Sequence, residues 1–289
     1  MLNLRDIIAQ LKPLHKMSKE IFQTIKPYFK TQIENTVYAC KKWNRGPKIS
    51  VNLDKVLDAV YEYFDNGSKL ETIREKYQIS GATMSRYLKL IATYDIPGQI
   101  YQCLKSQVPQ YGDLITDTTV TISRGSRESA GFSYKVKGKR TMKIAILADE
   151  LKIIRNFDVV AGNIDDRTTL RTMLNDANNL GTRDLYADAG YTGADMASFC
   201  QEKGVTLKAS IKKLRNGQPS HVLSPTSHQK LKHKRPRIEH LNRHLKHFRG
   251  IDIRYSLSPT IYRTLVTIGI VIVLIHNCFK ANKSGILVI

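Results

Sequence analysis

The spacing of the apolar residues changes once along this chain, and that change limits the folds open to it. Up to about residue 105 they recur at helical intervals. Leu53, Val56, Leu57, Val60 and Tyr61 share one face, as do Leu70, Ile73 and Tyr77, and again Met84, Tyr87, Leu88 and Ile91. From Asp113 the texture is that of strands: "LITDTTVTIS" alternates, and "TMKIAILADE" and "IIRNFDVVAGN" are short runs rich in Ile and Val. "DDRTTLRTMLNDANNL" reads as a helix whose acidic start suits the helix dipole. A strand ending at Asp188, a helix near Ala194–Lys203, the strand "VTLKASI" and a long helix starting at Pro236 complete the series. Strands first, then strands alternating with helices, predict an α/β domain with a mixed sheet, preceded by an all-α segment. The expected divisions are a helical arm over 1–45, a three-helix domain over 46–105 and the α/β domain over 106–289. In the arm, two short helices should break at Pro13 and Pro27 and lead into the linker "KKWNRGPK".

The charge narrows the choice of partner. The 289 residues hold 46 Lys+Arg against 25 Asp+Glu, a formal net charge of +21. An excess of that size calls for a polyanion, nucleic acid before a membrane surface. "TLVTIGIVIVLIHNCF", Thr264 to Phe279, imitates a membrane span, but its uncharged core is shorter than the ~20 residues a bilayer needs. It is expected to be a core helix or strand, with no membrane role. The four cysteines form no CxxC pair and the N-terminus has no signal-peptide run, so a reducing, cytoplasmic setting is expected.

Within 46–105, Asn52 and Ser80 are good N-caps, and Asp65-Asn66-Gly67 closes the first helix. Two helices joined by a short turn, the second carrying small polar and basic residues, make a helix-turn-helix pattern. Gly81, Ala82, Thr83, Ser85, Arg86 and Lys89 fall on the face away from the core. Thr83, Ser85, Arg86 and Lys89 are the candidate DNA contacts.

Three acids stand out by position: Asp117 mid-strand among threonines, Asp188 at a strand end in "DLYADAGYTGAD", and Glu239 in the first turn of the helix begun by Pro236. Asp188 taken alone reads equally as a turn initiator. From Lys208 to Arg254 there are thirteen Lys/Arg and two acids. Carboxylates from two strands and a helix, set in such a cationic field, suit phosphodiester cleavage. The acids would hold two Mg²⁺ ions roughly 4 Å apart, and the cations would hold the phosphate backbone. His240 and His244, one helical turn apart, offer zinc spacing without a third ligand nearby.

"DTT", "YADAGYTG" and "RPRIEHLNRHLK", in this order, resemble the DDE transposases of bacterial insertion sequences, of the group called families four and five. "SYKVKGKRTMKIAILAD" is similar to that family's stretch after the first acid. "GNIDD" resembles its Gly-x-x-His-Asp turn, with Asp165 in place of the His and Asp166 matching the Asp. The resemblance spans roughly Asp113 to Asn277. It implies an RNase H-like catalytic domain, a mixed sheet flanked by helices, behind the all-α helix-turn-helix domain. Asp117, Asp188 and Glu239 would be its catalytic, metal-binding triad, with Mg²⁺ as cofactor and Mn²⁺ able to substitute. Of the Tyr-Arg-Glu-Lys signature, Arg235, Glu239 and Lys246 match, whereas Lys232 stands at the Tyr position. Tyr191 packs beside the site or touches a flanking phosphate, or else is a plain core tyrosine. The interval from Asp188 to Glu239 is too short for the β-domain inserted in some relatives, which implies a compact enzyme.

The expected activity is transposition. The protein would bind terminal inverted repeats, hydrolyse phosphodiester bonds and transfer the 3′-OH ends to target DNA. Its partners would be double-stranded DNA and further copies of itself, as a homodimer or higher oligomer. The alternatives are a catalytically inactive DNA-binding descendant and an RNase H-like nuclease without strand transfer.

Overall fold

The computed structural model describes residues 2–11, 17–39, 51–124, 128–134, 136–177, 180–211, 223–256 and 258–287. The expected linker "KKWNRGPK", the expected break at Pro13 and Cys40 lie outside them. The chain divides into two compact units: Met1–Val108 with Arg124–Glu128 and Leu245–Ile289, and Pro109–Ser123 with Ser129–His244.

The first unit is mainly helical. It contains α1 (Leu4–Gln10), α2 (Met17–Ala39), α3 (Leu53–Asn66), α4 (Leu70–Tyr77), α5 (Gly81–Thr93), α6 (Ile96–Ser106), α10 (Arg249–Asp252), the short strand β7 (Ile253–Arg254) and α11 (Pro259–Lys283). Asn52 caps α3 through Asp54 N at 2.9 Å, and Ser80 caps α5 through Thr83 N at 3.1 Å. The expected break at Pro27 does not occur. One proline removes a single hydrogen bond, and α2 runs through it because Ile21, Phe22, Ile25, Phe29 and Ile33 are all buried on one stripe. The sequence reading placed the C-terminal apolar segment with the sheet. In the structure α11 packs instead against α1, α2, α5 and α6 in the helical unit. By length and composition α11 could cross a bilayer, but 89% of its apolar window is buried inside the protein.

The second unit is a mixed sheet with helices on both faces. Its strands are β1 (Leu114–Ser123), β2 (Gly131–Phe132), β3 (Arg140–Asp149), β4 (Ile154–Ala161), β5 (Arg183–Ala187) and β6 (Val205–Ala209). The order is β2-β3-β1-β5-β6, with β4 also pairing β3. β1, β3 and β4 are antiparallel, whereas β5 joins β1 and β6 joins β5 in parallel. Those parallel joins need crossovers, which α7 (Asp166–Asp176) and α8 (Ala194–Glu202) supply. Leu114, Ala145, Leu147, Leu185 and Ala187 point to one sheet face and pack with Leu170, Met173, Met196 and Cys200 of those helices. Alternation sends Ile115, Asp117 and Tyr186 to the other face, which α9 (Pro225–Lys246) covers.

The helix expected to begin at Pro236 begins eleven residues earlier. Ser224 Oγ accepts from Ser227 N at 3.2 Å and Pro225 occupies the first helical position, so a complete N-terminal signal stands there. Pro236 is therefore internal, and Glu239 lies in the middle of the helix rather than in its first turn. Leu231, Lys234, Ile238, Leu241 and Leu245 form the buried stripe of α9. The one charge in that stripe is neutralised: Lys234 Nζ reaches Asp113, lies 2.6 Å from Glu150 Oε1 and sits 4.3 Å from the centre of the Tyr186 ring. Arg237 adds a bond to the carbonyl oxygen of Glu150 at 3.1 Å.

Candidate active site

The sheet register brings the first two acids together. Leu114 pairs with Leu185 and Ile115 with Tyr186. Continued by two residues, the same register sets Asp188 beside Asp117, one strand spacing of about 4.8 Å away and on the same face. Asp188 ends its strand because it also caps the short 3₁₀ turn Ala189–Tyr191, with Oδ1 accepting from Ala189 N at 2.7 Å. The turn-initiating role and the place at the strand end therefore coexist in one residue. Of the two glycines that follow, Gly193 is needed for its backbone (φ +151°), whereas a methyl group at Gly190 would meet open space.

Glu239 is tied to the two aspartates through its neighbours on α9. Four residues before it, Arg235 puts one guanidinium nitrogen 3.8 Å from Asp188 Oδ1 and another 3.6 Å from Glu239 Oε1. Three residues after it, Asn242 Nδ2 donates to Asp117 Oδ2 at 2.9 Å. Positions i−4, i and i+3 share one helix face, so the face of α9 that carries Glu239 also carries the residues that reach Asp188 and Asp117. Asp188 and Glu239 are about half exposed, with side-chain exposures of 50% and 54%.

The donor chemistry of this set fits a hard divalent cation: carboxylate oxygens only, on two rigid strands and a helix. The Arg235 guanidinium now supplies the positive charge between Asp188 and Glu239. Among the described residues, no three His, Cys, Asp or Glu side chains converge as a ready-made metal cage, so loading would require Arg235 to move aside and the exposed carboxylates to turn inward. The same holds for the histidine pair, whose rings lie edge to face with centroids 6.2 Å apart.

The remaining candidates are spread more widely. Tyr191 is 1% exposed and its hydroxyl shares a 2.9 Å hydrogen bond with that of Thr118. Thr118 alternates with Asp117, so this tyrosine packs on the opposite sheet face from the carboxylates. Burial raises its pKa far above that of an ordinary phenol. Lys232 is exposed on α9. Lys246 ends the helix, just past the residues of the second unit, with Nζ 3.9 Å from Asp252 Oδ1. In the first unit Arg86 and Lys89 are exposed on α5 and Thr83 and Ser85 half-buried, with the Thr83 hydroxyl 2.9 Å from that of Ser80.

Sequence reasoning missed three contributors: Asn242, Lys234 and Lys143. Lys143 is 6% exposed and donates to Asp166 Oδ1 at 2.8 Å and to the carbonyl oxygen of Ile164 at 2.7 Å, pinning the turn before α7 beneath β3. Each is a polar residue at a position that the local period assigns to the interior. That mismatch was readable in the sequence.

No curated protein matches the chain. Among solved structures, a piggyBac transposase synaptic complex with hairpin DNA aligns with a TM-score of 0.48 at 11% identity, covering 97% of this chain and 71% of that one. A Mos1 transposase paired-end complex with left transposon end aligns with a TM-score of 0.26 at 9% identity, covering 72% and 78%. The family model for the transposase DDE domain matches residues 109–274, more than half of the chain and all of the carboxylate-bearing elements. This chain belongs to the transposase DDE domain family.

Proposed function

We propose that the protein is the transposase of a bacterial insertion sequence, working in the cytosol on double-stranded DNA. It would bind the terminal inverted repeats of its element, cut phosphodiester bonds to free 3′-OH ends, and join those ends to target DNA. The observation that carries this reading is that Arg235 and Asn242, which flank Glu239 on α9, reach Asp188 and Asp117. The strand order and the parallel pairing of β5 and β6 support an RNase H-like reading of the second unit.

The family generally works with divalent metal ions, here Mg²⁺ or Mn²⁺. Bound by the three carboxylates, they would activate the attacking oxygen and neutralise the leaving one. The chain's own residues do the rest. Asp117 and Asp188 offer oxygens from fixed strand positions, and Glu239 closes the site from α9. Arg235 turns from the carboxylates to the phosphate. Lys246, two helical turns beyond Glu239, holds the backbone further along the strand. Cleavage and joining are both in-line displacements at phosphorus, with water and then the 3′-OH as nucleophile, so one site serves both. The α3–α5 region supplies a helix-turn-helix whose Thr83, Ser85, Arg86 and Lys89 face the repeat. A homodimer or larger assembly would hold two ends together.

The test is a reconstituted reaction: purified protein, DNA carrying the terminal repeat of its own element, a target plasmid and Mg²⁺ or Mn²⁺. Selective binding, 3′-OH products and joined ends are expected. Selective binding without cleavage would leave a DNA-binding protein. Cleavage without joining would leave a nuclease.

A further inference from the structure

We infer that Asn242 is a positioning residue for Asp117, an inference that rests on the reading of the carboxylates as a metal site. Asn242 is 8% exposed, next to Leu241 and one turn from Ile238 and Leu245 on the buried side of α9. Its Nδ2 donates to Asp117 Oδ2 at 2.9 Å, while its Oδ1 is buried without a hydrogen-bond partner among the described residues. An orphaned acceptor destabilises a fold, and leucine, of nearly the same size and shape, would avoid it. The orphaned acceptor offsets what the bond to the Asp117 carboxylate contributes, so the amide adds little net stability at this position.

The geometry accounts for the amide. Asp117 lies within a strand, and its side chain rotates about two torsions. A donor fixed on a helix and aimed at one carboxylate oxygen selects a single rotamer of that side chain. Metal-ligating carboxylates are commonly oriented in this way, and losing the orienting partner costs about 10–100-fold in metal affinity or activity. Because Asn242 sits three residues after Glu239, the same turn of helix delivers one ligand and orients another. The spacing of Asp117 to Glu239 and the rotamer of Asp117 are set together.

The test uses the full chain without DNA, with Mn²⁺ binding followed by calorimetry or by the spin-resonance signal of free Mn²⁺, and thermal unfolding recorded alongside. Asn242→Leu should unfold near the wild-type temperature, yet bind Mn²⁺ at least about tenfold more weakly. Asn242→Gln, which keeps the amide donor, should recover part of that affinity. Wild-type affinity in Asn242→Leu would overturn the inference. So would a joint fall of affinity and melting temperature that Asn242→Gln does not relieve, since that pattern marks a packing role. If the wild type binds no Mn²⁺, or Asp117→Asn binds it equally well, the metal-site reading itself fails.

Discussion

Replacing Lys234 by methionine should loosen the helix that carries Glu239, Arg235 and Asn242. The Lys234 side chain is 9% exposed and bridges Asp113 and Glu150, whose side chains are 23% and 24% exposed. A lost hydrogen bond to a charged group costs about 1.5–3 kcal/mol, and removing one partner of a fully buried pair about 3–5 kcal/mol. Both acids here keep about a quarter of their exposure and can rehydrate, which discounts the larger figure to about 2–3 kcal/mol. Methionine retains the apolar stem against Tyr186, so packing contributes little to the difference. At 1.4 kcal/mol per factor of ten, amide protection in α9 should fall about 30- to 150-fold. Hydrogen exchange read by mass spectrometry resolves this, with α3, in the other unit, as the internal control. Unchanged protection of α9 in Lys234→Met would show that the cluster does not hold the helix. Glu239 would then be held in place by contacts other than this cluster.

Other consequences are testable in the same preparations. Arg86→Ala should reduce the preference for terminal repeats over random DNA by about 1–3 kcal/mol if Arg86 reads a base; an equal loss on both DNAs in a gel shift makes it a phosphate contact. Tyr191→Phe removes the hydroxyl bonded to Thr118 and should cost about 1 kcal/mol in stability, with cleavage unchanged; slow cleavage at full stability would place that hydroxyl on the DNA. Partial burial raises the Glu150 pKa, but the Lys234 ammonium and the Asp113 amide outweigh it and hold the carboxyl below its ordinary 4.5. A depressed carboxyl stabilises the fold above its unfolded value, and that contribution is lost as pH falls through the folded value. Glu150→Gln should therefore flatten the acid limb of the unfolding profile below pH 4.5, and an unchanged limb would refute the assignment.

Much of the sheet was legible because its residues obey one local rule at a time. Alternation located β1, runs rich in Ile and Val located β3 and β4, and a short apolar stretch ending on an acid before a turn located β5 and with it Asp188. The second half of the sequence failed where two local signals competed. Ser224-Pro225 and Pro236 both look like helix starts, and only the buried stripe from Leu231 to Leu245 shows which one opens the helix. Pro27 failed for the converse reason: a long buried stripe outweighs one missing hydrogen bond. The partner of α11 was not legible at all, since an apolar run states that it must be buried but not against what. Asn242 and Lys234 escaped because their value lies in residues more than eighty positions away, Asp117, Asp113 and Glu150.

The central claim is that Asp117, Asp188 and Glu239 form one phosphodiester-cutting site. The direct measurement is single-turnover cleavage of end DNA in Mg²⁺ by Asp117→Asn, Asp188→Asn and Glu239→Gln, each beside a gel shift on the same DNA. The three substitutions keep size and shape and leave α5 untouched. All three should bind the end DNA nearly as the wild type does, and none should cut it. A variant that cuts at the wild-type rate would remove its residue from the site and contradict the account.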